Sequence, residues 1–507
     1  MIASTLSATP FGIDAQEVRV EVHVARGLPS ITVVGLPDAA VRESRERVRA
    51  AMTSCGFAMP RGRILVNLAP ADLRKVGPAF DLPIALALLA ADARIPADAL
   101  RGTLCFGELA LDGRVRRTPG AISVGLLALQ QGIDRLWVPA PDLAEVAALG
   151  GLQVSAIDDL AHAAALARGT VAPRSLSGGP QPHDLPRSEP DLADVRGQAT
   201  ARRALELAAA GEHGLMMTGP PGAGKTMLAR RLPSLLPDLS REDAIEVTRI
   251  HSVAGRSGAP GLMRRPPLRT PHPRTSHVAM LGGGTIPRPG EVSLAHRGIL
   301  LLDEMPEFAR RTLEALRQPV EEGVVTLTRL RHSVRFPASF QLVATRNPCP
   351  CGWYGDEVRT CTCPPGTRTR YAARIGGPLM DRIDVHVAVP RVDEAALVQP
   401  GPAEASAAVA ARVVSARRRA RCRQGVPNAR LEGDALRLYA DLDDDARAMG
   451  LHLVAARGLT ARGYERLLRV ARTVADLADH PAVDAADLAE AAAFRSDPGE
   501  DGLSSAV

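Results

Sequence analysis

Apolar and polar positions alternate over Val18-Arg19-Val20-Glu21-Val22-His23-Val24, the period of a half-buried strand. Ile31-Thr32-Val33-Val34-Gly35 and Ile64-Leu65-Val66-Asn67-Leu68 predict two more strands, and Asp38 is placed to cap a charged helix that runs through Met52. Leu82 to Ala90 reads as an apolar helix, and Leu104 to Leu109 as a strand turning at Asp112-Gly113. Residues 1–172 therefore predict an α+β or α/β domain. Pro173 to Pro190 is rich in Pro, Ser and Gly and reads as an exposed linker, 173–190. Beyond it the pattern changes. Leu215-Met216-Met217-Thr218, Gly298-Ile299-Leu300-Leu301-Leu302 and Phe340-Gln341-Leu342-Val343-Ala344-Thr345 are short apolar runs of the kind a parallel sheet buries on both faces. They predict an α/β domain over 191–390. From Asp393 the pattern is Ala-rich and helical, which makes 391–507 a helical domain, with six arginines between Arg412 and Arg423.

The first apolar run leads into Gly219-Pro220-Pro221-Gly222-Ala223-Gly224-Lys225-Thr226, a complete G-x-x-x-x-G-K-[ST] phosphate-binding loop, and a helical pattern follows it. Its glycines let backbone N–H groups close around phosphates, and Thr226 can reach a Mg²⁺. The chain holds only two lysines, Lys75 and Lys225, so the one in this loop stands out from an arginine-rich background. The second run ends in Asp303-Glu304. Ligands of such sheets sit beyond the strand C-termini, so Asp303 would face the phosphates and hold the Mg²⁺ shell while Glu304 polarises the attacking water. The third run ends near Asn347, an amide placed to sense the γ-phosphate or orient that water.

Composition narrows the rest. A net charge of +6 is compatible with nucleic acid and equally with solvated surface arginine. Aromatics are 3%, too few for extensive base stacking, so any nucleic-acid contact falls on the phosphate backbone. The N-terminus lacks the pattern of a signal peptide, and the most apolar run, Leu82 to Ala91, is too short to span a bilayer, which predicts a cytoplasmic protein with no membrane association. In a reducing compartment, Cys349-x-Cys351 and Cys361-x-Cys363 favour a structural Zn²⁺ over disulfides, with free thiols as the alternative.

Gly219 to Thr226, Leu301-Leu302-Asp303-Glu304, Asn347-Pro348-Cys349-Pro350-Cys351-Gly352 and Gly377-Pro378-Leu379-Met380-Asp381-Arg382-Ile383-Asp384 together resemble the magnesium-chelatase-like branch of AAA+ ATPases, and within it the ComM/YifB family. The resemblance implies an α/β AAA+ P-loop NTPase core, an N-terminal Lon-protease-like α+β domain and a C-terminal helical lid. It makes Arg382 an arginine finger that reaches a neighbouring subunit's ATP, and Arg462, in Leu459-Thr460-Ala461-Arg462, the lid arginine that contacts the γ-phosphate. It implies a homo-oligomeric, hexameric ring with two hairpin insertions facing its channel. These would fall at Gly282 to Gly290 and Val324 to Phe336, bringing Arg288, Arg329 and Arg331 to a DNA backbone, with solvated hairpin tips as the alternative. Proteolysis in a Lon-like domain needs a Ser nucleophile and a Lys base. Gly77-Pro78-Ala79 offers alanine, and no lysine lies between Lys75 and Lys225, so the resemblance points to a non-proteolytic domain. Pro273 stands where relatives carry a second histidine. The function implied is an ATP-driven motor on DNA, with branch migration in recombination of incoming DNA. The alternatives are a motor subunit for magnesium insertion into a porphyrin and an ATP-dependent protease.

Overall fold

The computed structural model describes residues 2–176, 189–256, 261–284, 287–329, 332–392 and 403–495. Most of the linker expected at 173–190, the hairpin tip with Arg331, and the start of the C-terminal region at 393–402 lie outside the described residues.

The alternating segment becomes the strand Asp14–Ala25, which buries Val18, Val20 and Val22 and pairs antiparallel with Ile2–Phe11 on one side and Arg63–Ala69 on the other. It anchors a seven-stranded mixed sheet in the order Ser30–Val34, Arg63–Ala69, Asp14–Ala25, Ile2–Phe11, Thr103–Cys105, Arg135–Pro139, Gln153–Ile157. Ile2–Phe11 escapes apolar patterning because its buried positions include Thr5, Ser7 and Thr9. Asp38 caps the helix Ala39–Ser54, accepting from the Val41 N–H. The strand expected over Leu104 to Leu109 breaks at Phe106-Gly107. The Gly107 N–H turns to the Ala79 carbonyl, and a β-carbon on Gly107 would lie 2.7 Å from Val115 Cγ1. Glu108–Leu109 then forms a small hairpin with Val115–Arg116.

The helix Asp81–Ala91 is buried at every position, as its apolar run requires. Its first residue is an acid with no exposure. Asp81 accepts from Arg47 Nε at 2.7 Å and Nη2 at 3.0 Å, from the Leu109 N–H at 3.2 Å and from Ser44. Removing one partner of a buried ion pair leaves the other uncompensated. Asp81→Ala should therefore cost about 3 kcal/mol, the low end of the usual range because the Arg47 side chain keeps 20% exposure. Urea unfolding of the variant checks this.

The second sheet has five parallel strands in the order Leu268–Arg269, Ile299–Leu302, Gln341–Arg346, Leu215–Thr218, Val385–Ala388. Every residue of the three central strands is buried. The helices Ser406–Gln424, Gly433–Ala440, Asp444–Arg457, Ala461–Ala478 and Ala485–Ala493 follow. The arginine-rich helix is a brace. Arg412 pairs with Glu206 and Glu404, Arg417 with Glu212, Arg419 with Asp479, and Arg423 with Asp476. The helix Arg241–Val253 ties the second region to the first, through Arg249 to Asp14, the Gly120 N–H to Ser252 Oγ at 3.2 Å, and Arg241 to the Leu149 carbonyl at 2.6 Å. Among the described residues no helix is long and apolar enough to cross a membrane.

Candidate nucleotide site

The buried strand Leu215–Thr218 ends in a loop that turns through Gly222 and Gly224, both at positive φ, into the short helix Lys225–Ala229. Gly219 has to be glycine, because a β-carbon there would lie 2.0 Å from the Val389 carbonyl oxygen. Pro220, Pro221 and Ala223 complete the loop. Lys225 is 9% exposed and folds its ammonium back into the loop, donating to the Gly219 and Pro220 carbonyls at 2.8 Å each and to Asn347 Oδ1 at 3.1 Å. Burial pulls its pKa below the ordinary lysine value, opposed by the nearby charges of Asp303 and Glu304. A buried cation held by neutral acceptors is suited to meet the anionic oxygens of a triphosphate.

Asp303 and Glu304 follow the strand Ile299–Leu302, which does not touch the loop strand. Gln341–Arg346 lies between the two, pairing Leu302 with Ala344 and Thr218 with Arg346. The middle strand therefore serves both sides. Asn347 reaches Lys225, and Thr345 Oγ1 donates to Asp303 Oδ1 at 2.7 Å while accepting the Glu304 N–H at 2.9 Å. Thr345 belongs to no motif; only its place at the end of an inner strand marks it. Thr226 Oγ1 donates across both Asp303 carboxylate oxygens at 2.9 Å each. This clusters hard oxygen donors of the kind Mg²⁺ takes alongside phosphate and water, so the residues fit the ion. Glu304 is exposed at φ 53°, a left-handed conformation that costs a non-glycine residue about 1–2 kcal/mol and that clusters at functional sites.

The two arginines lie elsewhere. The Arg382 carbonyl oxygen would be 2.9 Å from a β-carbon on Gly214, and Val385 pairs with Leu215. Arg382 thus sits at the start of the sheet's strands, a strand length of about 13 Å and more from the phosphate loop at their other end. Its side chain is exposed and pairs with Glu321 at 3.0 Å. Its acidic neighbours are anchored. Asp381 binds Arg466 at 2.8 Å, and buried Asp384 binds His213 Nδ1 at 2.9 Å, with His213 Nε2 2.7 Å from Thr473 Oγ1. Burial pushes Asp384 up, but the hydrogen bond and charge of His213, with Arg469 and Arg495, outweigh it and hold the carboxyl below its usual range. Arg462 is exposed and lies one helical turn before Arg466. It therefore stands with Arg382 at the strand-start end of the sheet. Arg466 ties this part of its helix to Asp381.

Comparison with known proteins agrees along the whole chain. The family described as magnesium chelatase, subunit ChlI, matches residues 191–397; subunit ChlI of Mg-chelatase matches 20–142; and the ChlI C-terminal family matches 403–495. The YifB protein of Escherichia coli is 42% identical over 494 residues, covering 96% of this chain and 95% of its own. Competence protein ComM of Haemophilus influenzae is 38% identical over 505 residues, covering 98% and 97%. The chain belongs to the ComM/YifB family of magnesium-chelatase-like proteins. This is a family of AAA+-type ATPases, which accounts for a phosphate loop, an acidic strand end and a C-terminal helical region in one chain. The 67 kDa magnesium-chelatase subunit of Heliobacterium mobile matches more narrowly, 28% identical over 193 residues, 32% of this chain and 29% of its own.

Within this ComM/YifB member, Gly282–Gly283 pairs antiparallel with Arg288–Pro289, and Val324–Arg329 with His332–Pro337. Both expected hairpins are therefore present; Arg288 is exposed and Arg329 ends its strand. They meet the first sheet around a cavity of about 590 Å³ lined in part by Arg74, Gly77, Ala79, Thr118, Arg288 and Val334. Lys75 does not line it. That residue is fully buried and donates to the Pro70 carbonyl.

Proposed function

We propose that this protein is an ATP-driven ring motor acting on DNA, with each ATP held between two subunits. The observation that carries this reading is the separation of Lys225 from Arg382. One subunit supplies the phosphate loop, Thr226, Asp303, Glu304 and Asn347 at one end of its sheet, and exposes Arg382 and Arg462 at the other. A head-to-tail ring, taken here as a hexamer, brings the two ends together. ATP is the substrate, and Mg²⁺, held through Thr226 and Asp303, would neutralise charge on its phosphates. Lys225 steadies the phosphates, Glu304 orients and polarises the attacking water, Asn347 links that water's surroundings to Lys225, and the neighbour's Arg382 stabilises charge developing on the transferred group.

The DNA part rests on the two hairpins and the exposed Arg288, a cation suited to a phosphate backbone. The near full-length likeness to a competence protein, against a partial one to a chelatase subunit, favours branch migration of incoming DNA over porphyrin metallation. The cavity beside Ala79 has no lysine in its lining, and the Lys75 ammonium is engaged by the Pro70 carbonyl. A Lon-like, non-proteolytic scaffold is the reading we adopt. The four cysteines are taken as ligands of a structural Zn²⁺.

Glu304→Gln tests the reading. It keeps size and hydrogen bonding but cannot take a proton, so ATP binding should persist while kcat falls by about 10²–10⁴-fold. Equilibrium binding and steady-state hydrolysis, with and without branched DNA, measure both. An unchanged kcat would remove Glu304 from the site.

A further inference from the structure

The segment from Asn347 to Pro364 contains no helix or strand, yet it touches both the phosphate loop and the chain that leads to the C-terminal helices. The Sγ atoms of Cys349 and Cys351 lie 3.3 Å apart, and each lies 3.7 Å from Cys361 Sγ. With Cys363, all four sulfurs fall within 4.8 Å of one another. Thiolates at about 2.3 Å from a tetrahedral zinc stand about 3.8 Å apart. A disulfide needs about 2.05 Å, so the spacing suits one ion and no bridge. Four protein ligands leave no open position, which makes the site a clasp.

What the clasp holds is specific. Asn347, two residues before Cys349, accepts from the Lys225 ammonium. Gly352, immediately after Cys351, lies so close to the phosphate loop that a β-carbon on it would stand 2.5 Å from Pro221 Cδ and 2.6 Å from Cγ. Farther along, Asp356 accepts from Arg391 Nε at 2.9 Å, and the guanidinium groups of Arg391 and Arg359 each lie 4.7 Å from the Trp353 ring centre. Arg391 follows Pro390, whose carbonyl accepts from Gln198 Nε2 at 2.6 Å, and the chain then passes to the C-terminal helices. One irregular loop thus presses on the phosphate loop at Pro221 and grips the exit to the helical region at Arg391.

We propose that this four-cysteine loop is a zinc-held buttress of the nucleotide site, setting the position of the phosphate loop and of the exit to the C-terminal helices, so that nucleotide binding depends on the metal. The proposal rests on the reading of Lys225 and its loop as a nucleotide site. The sulfurs join Cys349 and Cys351 near the start of this irregular segment to Cys361 and Cys363 near its end, so metal-binding energy adds to the ordering that its hydrogen bonds and ring contacts supply. Without the clasp, Asn347 and Gly352 drift from Lys225 and Pro221.

The test uses the full chain. Zinc content is measured by mass spectrometry, and the dissociation constant of a fluorescent ATP analogue in excess Mg²⁺ is compared before zinc-selective chelation, after it, and after zinc is restored. We expect one zinc per chain and a nucleotide affinity that drops about tenfold on stripping, the equivalent of about 1.4 kcal/mol of lost phosphate-loop positioning. Re-added zinc should restore it, which separates loosening from irreversible misfolding. Gly352→Ala, in which the added carbon meets Pro221 and the backbone is held at φ 83°, should weaken nucleotide binding, and its zinc content is measured alongside. A wild-type chain without metal, or one whose nucleotide affinity is the same stripped and loaded, overturns the proposal. A zinc-loaded chain that binds no nucleotide overturns the reading of the site itself.

Discussion

Lys225→Ala lowers ATP turnover by about a hundred- to a thousandfold, the scale seen when one donor aimed at developing charge is removed. The loss should appear in kcat/KM together with a weakened nucleotide dissociation constant, because the ammonium serves the bound and the reacting phosphates alike. The effect is large because this ammonium is held within the loop itself. Lys225 is 9% exposed, its partners are two carbonyls and an amide, and the chain's only other lysine, Lys75, is fully buried in the N-terminal part of the chain. Lys225→Arg should fail nearly as badly, since a planar fork cannot occupy the place of a compact ammonium within the loop. The thermal midpoint should move little in either variant, which separates lost chemistry from lost folding.

Arg382→Ala produces the other large effect, a fall of about 10³–10⁵-fold in kcat with ATP binding almost unchanged, as for an arginine supplied in trans. Its pair with Glu321 is exposed on both sides, so breaking it costs about 0–1 kcal/mol and leaves the fold intact. The anchors beside it, Asp381 to Arg466 and Asp384 to His213, stay in place and still present an empty finger position to the neighbour. A mixing experiment separates this account from a role within one subunit. Alone, Lys225→Ala and Arg382→Ala each keep only their small residual turnover. Mixed, they form interfaces that pair an intact loop with an intact arginine, and part of the activity returns. If every mixture stays as inactive as the parents, Arg382 does not act across an interface.

Much of the site was legible because its parts are contiguous. The phosphate loop, Asp303-Glu304 and Asn347 each sit at the end of an apolar run, and a parallel sheet gathers such ends on one edge. What was not legible depends on distant partners. Ile2–Phe11 fills its inward face with hydroxyl side chains, so no apolar alternation betrays it. Thr345 matters only because its strand lies between the two motif strands. The end of the sheet that Arg382 and Arg462 occupy follows from Gly214 and from the anchor between Arg466 and Asp381, contacts that no local spacing encodes. The grip of Asp356 on Arg391 joins residues 35 positions apart across an irregular loop, where composition shows only turns.

The central claim is a composite ATP site, and the most direct measurement is ATP turnover per subunit across a range of protein concentration, with and without branched duplex DNA. The account predicts turnover that rises steeply as subunits assemble and rises further with DNA. Turnover per subunit that is independent of concentration would contradict the shared site, and a chain that neither binds nor hydrolyses ATP at any concentration would contradict the account as a whole.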